Sequence, residues 1–77
     1  MKEEIFKIEE KVLELIEYKK YSDLHKYIEQ LTTQDIALLF EDIDDEDMIK
    51  VFRLLPKDEA ADVFSYIEPD LQEKLIF

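Results

Sequence analysis

Apolar residues recur along this chain at the spacings of a helix face, in units of constant length. Over residues 3–20, Ile5, Ile8, Val12 and Leu15 fall at three- and four-residue steps with Glu and Lys between them, which predicts one amphipathic helix. Beyond it the quartet i, i+3, i+4, i+7, one face of two helical turns, occurs as Leu24, Tyr27, Ile28 and Leu31. Twelve residues on it is Ile36, Leu39, Phe40 and Ile43; then Met48, Val51, Phe52 and Leu55; then Ala60, Val63, Phe64 and Ile67. Fading copies flank the series: Val12, Leu15 and Ile16 before it, Leu75 and Ile76 after it, where Gln72 spoils the first position. A twelve-residue unit holds one short helix and a turn of about three residues. No such unit buries its apolar face alone, so successive units are expected to stack as a solenoid or superhelix.

Start signals fit this division. Ser22, Thr33 and Asp44 are candidate N-caps, and Asp45, Glu46 and Asp47 would follow Asp44 into a first turn where the helix dipole favours negative charge. Pro56 and Pro69 each stand where a helix can begin. The expected fold is all-α: a right-handed superhelix (solenoid) of short helices with a roughly 12-residue repeat, preceded by a longer N-terminal helix. The expected organisation is a single domain over 1–77, with the N-terminal helix in 1–20 and the repeats in 22–77.

Composition narrows the chemistry. Seventy-seven residues suffice for one small domain. The absence of cysteine excludes disulfides, thiolate metal sites and a cysteine nucleophile, and fits a reducing compartment. The absence of glycine excludes phosphate-cradling loops, dinucleotide fingerprints and an ordinary nucleophile elbow. Ten basic residues against 21 acidic give a net charge of −11, which repels nucleic acid and anionic lipid and suits a basic partner or a divalent cation. The balance is uneven: residues 1–31 carry eight acids and six bases, net −2, whereas residues 32–77 carry thirteen acids and four bases, net −9. The opening Met1-Lys2-Glu3-Glu4 is unlike a signal peptide, and no apolar run approaches the roughly 20 residues of a membrane helix, so the expectation is a soluble piece.

Catalysis is not expected. The single histidine, His25, has no cysteine or second histidine to join, and only Ser22 and Ser65 offer a hydroxyl of the serine type. The stretch Glu41-Asp42-Ile43-Asp44-Asp45-Glu46-Asp47 holds six acids in seven residues but lacks the glycine and distal glutamate of an EF-hand. It reads first as a helix end, a cap and a first turn; a weak, mostly hydrated Mg²⁺ site at Asp44, Asp45 and Asp47 is the second reading. On the helix opening at Pro56, the wheel sets Asp58 and Asp62 together on the face opposite the core, four residues apart and mutually repulsive. The equivalent pairs one unit away are attractive, Glu46–Lys50 and Asp70–Lys74. A like-charged outer ridge is compatible with a docking surface for a cation or basic partner, and equally with drift on a tolerant surface. Phe40, Phe52 and Phe64 read as a core ladder, Arg53 as a cation tied to a neighbouring carboxylate, and Leu38 as an outward apolar residue marking a contact.

At these residues the chain resembles the N-terminal cytosolic domain of MgtE magnesium transporters. The run Leu31-Thr32-Thr33-Gln34-Asp35-Ile36-Ala37-Leu38-Leu39-Phe40-Glu41-Asp42-Ile43 is similar to that family's proline- and aspartate-led helix signature. Val51-Phe52-Arg53-Leu54-Leu55-Pro56 resembles its "LFRLLP", and Glu59-Ala60-Ala61-Asp62-Val63-Phe64 its "xAAEVL". Order and spacing agree over roughly residues 20–76. Thr32-Thr33 stand where the family often has His-Pro, and Asp44-Asp45 where it often has two prolines, both at turns.

The resemblance implies a homodimeric Mg²⁺ channel of the plasma or inner membrane. In it this superhelical domain precedes a pair of CBS domains, a connecting helix and a five-helix pore. It implies further that Mg²⁺ held between acidic faces of the N and CBS domains favours the closed pore. The acidic residue of the "AAEVL" motif, one of the interface carboxylates, maps onto Asp62. The family domain normally continues for several more short helices, so the chain is expected to be a truncated portion, monomeric and weak in Mg²⁺ binding by itself. The alternative is a metal-independent helical-repeat scaffold for a protein partner, of the kind found in FliG motor-switch proteins.

Overall fold

In the computed structural model the backbone is described for residues 2–76 and the side chains for residues 5–76, so Met1 and Phe77, the ends of the expected domain, lie outside the described residues. Six helices follow one another: α1 (Lys2–Glu17), α2 (Tyr21–Glu29), α3 (Thr33–Asp42), α4 (Asp45–Leu54), α5 (Lys57–Tyr66) and α6 (Pro69–Ile76). No strand occurs among the described residues. The starts of α2 to α6 are spaced by twelve residues, so the period of the apolar quartets is the period of the helices. At 16 residues α1 is the longest.

The quartets meet in one core. Every quartet position except Phe64 is either buried in a single cluster or packed against it, together with Val12, Leu15 and Ile16 of α1. Phe64 joins through its ring. Phe40–Phe52 and Phe52–Phe64 both stand 6.4 Å apart between centroids with tilted planes, the arrangement aromatic quadrupoles favour. Helices two apart in sequence pack on each other, α1 with α3, α3 with α5 and α4 with α6, while α1 also packs on α2. The radius of gyration is 11.4 Å, close to the roughly 11.5 Å expected of a globular domain of this length.

Helix ends depart from expectation in instructive ways. α1 stops at Glu17, three residues before the expected end, because Lys19 turns left-handed (φ 56°). The Lys20 N–H donates to the Leu15 carbonyl at 2.8 Å and the Lys19 N–H to the Ile16 carbonyl at 3.0 Å, which closes a Schellman motif normally built on glycine. That turn delivers the chain into α2 early. Lys20 is therefore the N-cap and Ser22 sits inside the first turn. At α3 the cap is Thr32, one residue before Thr33. Its Oγ1 accepts from the Asp35 N–H at 3.1 Å while its own N–H donates to the Asp35 carboxylate at 3.4 Å, a capping box in which aspartate takes the place usual for glutamate. Asp44 is the N-cap of α4 but its side chain makes no capping bond, and Pro56 is the N-cap of α5. Pro69 is the first residue of α6.

Candidate functional site: the outer faces of α3 and α5

One outer pair from each unit stands exposed at i and i+4: Ser22–Lys26, Gln34–Leu38, Glu46–Lys50, Asp58–Asp62 and Asp70–Lys74. Four residues make one turn, so the members of each pair lie side by side over the helix surface. Asp58 and Asp62 are both exposed, on the face of α5 opposite the centre of the quartet Ala60, Val63, Phe64 and Ile67, as the wheel required. Neither forms an ion pair among the described residues, so the like-charged ridge is not neutralised from within.

The attractive sibling pairs do not form as drawn. Lys74 reaches Asp45 of α4 at 3.3 Å, not Asp70 of its own helix, because α6 packs on α4 and brings that carboxylate into range. No ion pair joins Glu46 to Lys50, and Arg53 is exposed without a carboxylate within ion-pair distance among the described residues. Asp44 and Asp45 are exposed and Asp47 is half-buried. Nowhere among the described residues do three or more His, Asp or Glu side chains gather as a metal-holding group. The chain thus brings Asp58 and Asp62 together as a carboxylate pair, and Asp44, Asp45 and Asp47 onto one helix start, without completing a coordination shell at either place.

Two shallow clefts accompany these faces. One, of about 280 Å³, lies between α1 and α2 with Lys11, Lys20, Lys26, Tyr18 and Tyr27 on its walls, offset by Glu14 and Asp23. Desolvation of Tyr27, with a smaller effect from the Asp35 carboxylate, holds its phenol above the ordinary tyrosine range. The other cleft, of about 330 Å³, runs between α3 and α5 and is lined by Gln34, Ala37, Leu38, Glu41 and Tyr66. The Gln34 side-chain amide donates to the Tyr66 hydroxyl at 2.9 Å across it. Sequence reading singled out Leu38 but missed Gln34 and Tyr66. The signal for Gln34 was present, since Gln34–Leu38 is the one outer pair of the series without a charge.

The polar residues weighed for catalysis are engaged locally. His25 Nδ1 lies 3.0 Å from Glu29, one turn on, and the Ser65 hydroxyl donates to the Ala61 carbonyl at 3.1 Å. Among the described residues no helix is long and apolar enough to cross a membrane.

No curated protein and no solved structure matches the chain. The family model of the MgtE intracellular N domain matches residues 31–77, which takes in α3 to α6, the capping box at Thr32 and the Asp58–Asp62 ridge. By that match, which covers more than half of its length, the chain belongs to the MgtE intracellular N domain family.

Proposed function

We propose that the chain is the Mg²⁺-sensing regulatory domain of an MgtE-type transporter, its short helices following a right-handed superhelical path. In this reading it lies on the cytosolic side of a homodimeric membrane protein and docks its acidic face on CBS domains. It performs no catalytic step. The observation that carries the reading is Asp62: an exposed carboxylate one turn from the exposed, like-charged Asp58, within the stretch matched by the family, at the position where the sequence resemblance implies an interface acid.

The physics is that of ligand-dependent closure. When Mg²⁺ is scarce, facing carboxylates repel and the domains separate. When it is abundant, ions shared between the faces neutralise both, and closure gains whatever affinity the closed arrangement has over the open one. Two hard oxygen donors on one helix fit such a role. Mg²⁺ keeps several of its waters and takes one or two protein carboxylates, so a half-site is chemically sensible while three gathered ligands are not required. For the same reason binding to this chain alone is weak.

The experiment is Mg²⁺-dependent protease protection of the segment joining N and CBS domains in the parent transporter, wild type against Asp62→Asn. A higher Mg²⁺ midpoint for the variant, with the pore's conduction intact, supports the reading. An unchanged midpoint reduces Asp62 to a solvated acid and returns the weight to a metal-independent scaffold.

A further inference from the structure

Leu38 and Tyr66 are 44% and 58% exposed, and both line the cleft between α3 and α5. Tyr66 does not hang free, because the amide of Gln34 holds its hydroxyl oxygen and leaves the hydroxyl proton available to another acceptor. Ala37, nearly buried, forms part of the lining between them, so a side chain entering there meets an apolar bed. Every other unit of the repeat carries at least one charge at the two outer positions where α3 has Gln34 and Leu38.

The surroundings decide what could lie in this groove. α3 carries Asp35, Glu41 and Asp42 and no basic residue. α5 carries Asp58, Glu59 and Asp62, and its single lysine, Lys57, stands at the end of the helix opposite Tyr66. The two helices together carry six acids against one base, with Glu41 in the cleft lining and exposed Asp62 one turn before Tyr66, so a second copy of this chain, itself at −11, would bring like charge to like charge. A lone apolar ligand would leave the acidic rim unanswered.

We infer that the α3–α5 groove is a docking site for a basic amphipathic helix, with one or two of its apolar side chains seated between Leu38 and Tyr66 and its Lys or Arg residues over the acidic rim. Helix-in-groove recognition of this kind uses apolar anchors at i, i+3 or i+4, with charge setting orientation and partner choice. The Tyr66 ring adds a face for a cation. This inference needs neither Mg²⁺ nor the regulatory reading, since it rests on the groove and its charge alone.

The test is titration of the chain, followed by amide NMR, with a synthetic peptide of about 15 residues carrying Leu on one helical face and Lys on the other. Two control peptides have Glu in place of Lys, or the same composition scrambled so that no apolar face forms. The expected result is saturable shifts centred on Gln34, Ala37, Leu38, Glu41 and Tyr66, with binding roughly tenfold or more weaker for both controls and for Leu38→Gln. Leu38→Gln keeps the charge unchanged at an exposed site and should melt like wild type. Equal binding by Leu38→Gln or the scrambled peptide, or shifts spread over Glu41–Asp47 instead, would mean unspecific charge attraction and overturn the inference. So would concentration-dependent self-association through the same residues.

Discussion

The side-chain amide of Gln72 donates a 2.7 Å hydrogen bond to the main-chain carbonyl of Phe64. Gln72 is the residue that breaks the apolar repeat, standing where Ile36, Met48 and Ala60 stand in earlier units. Phe64 lies in the last turn of α5, where carbonyls have no partner within the helix. The break in the pattern is therefore a cap supplied from the next helix. Gln72→Leu restores the repeat but orphans a part-buried carbonyl. It should lower stability by about 1 kcal/mol, read from urea unfolding. A more stable variant would show that the apolar contact outweighs the bond.

The left-handed Lys19 is the only non-glycine residue with positive φ among the described residues, in a chain without glycine. A side chain there costs roughly 1–2 kcal/mol, against about 0.5–1 kcal/mol of extra unfolded-state freedom for glycine. Lys19→Gly should raise stability by about 0.5–1 kcal/mol and leave the spectrum of α3 to α6 unchanged. A fall would mean that the lysine side chain makes a compensating contact.

The phenylalanine ladder predicts a coupling pattern more distinctive than any single loss. Phe52 touches both neighbours, whereas no ring contact joins Phe40 to Phe64. Double-mutant cycles with leucine should give about 0.5–1.5 kcal/mol for Phe52 with either neighbour, and less than about 0.5 kcal/mol for Phe40 with Phe64. Comparable coupling in all three cycles would indicate a collapsed, non-specific cluster.

The period was legible in the sequence because burial itself writes it: each quartet is one helix face turned toward the same core. The ends were less legible. Ser22 and Thr33 look like caps locally, but where a helix starts depends on the preceding turn. That turn is Lys19 for α2; for α3 it is the Thr32–Asp35 box, which moves the cap one residue back. Asp62 could be put outside by a helix wheel, since exposure is a property of its own helix. The Lys74–Asp45 pair and the Gln34–Tyr66 bond could not, because each joins residues about thirty apart in sequence through helix packing that no wheel contains.

Tyr27 gives the fold a dependence at high pH. Its folded pKa lies above the ordinary tyrosine value of 10.0, by desolvation first and Asp35 second, so the neutral phenol is the form the fold favours. This contribution is fully present below pH 10.0 and is lost as pH rises through the folded pKa. Stability of the wild type should fall more steeply above pH 10.0 than that of Tyr27→Phe, measured by urea midpoints across that range. Parallel curves would assign the fall to other groups.

Whether the α5 ridge senses Mg²⁺ as an ion and not as ionic strength decides the proposed function most directly. Amide NMR of the chain in MgCl₂, against NaCl of matched ionic strength, separates the two. A Mg²⁺-binding ridge gives saturable shifts at Asp58, Asp62 and their neighbours in MgCl₂ alone, lost in Asp62→Asn. Mg²⁺ at ten times Kd should also raise stability by about 1.4 kcal/mol. Identical shifts in both salts, or shifts that survive in Asp62→Asn, would contradict the proposed function.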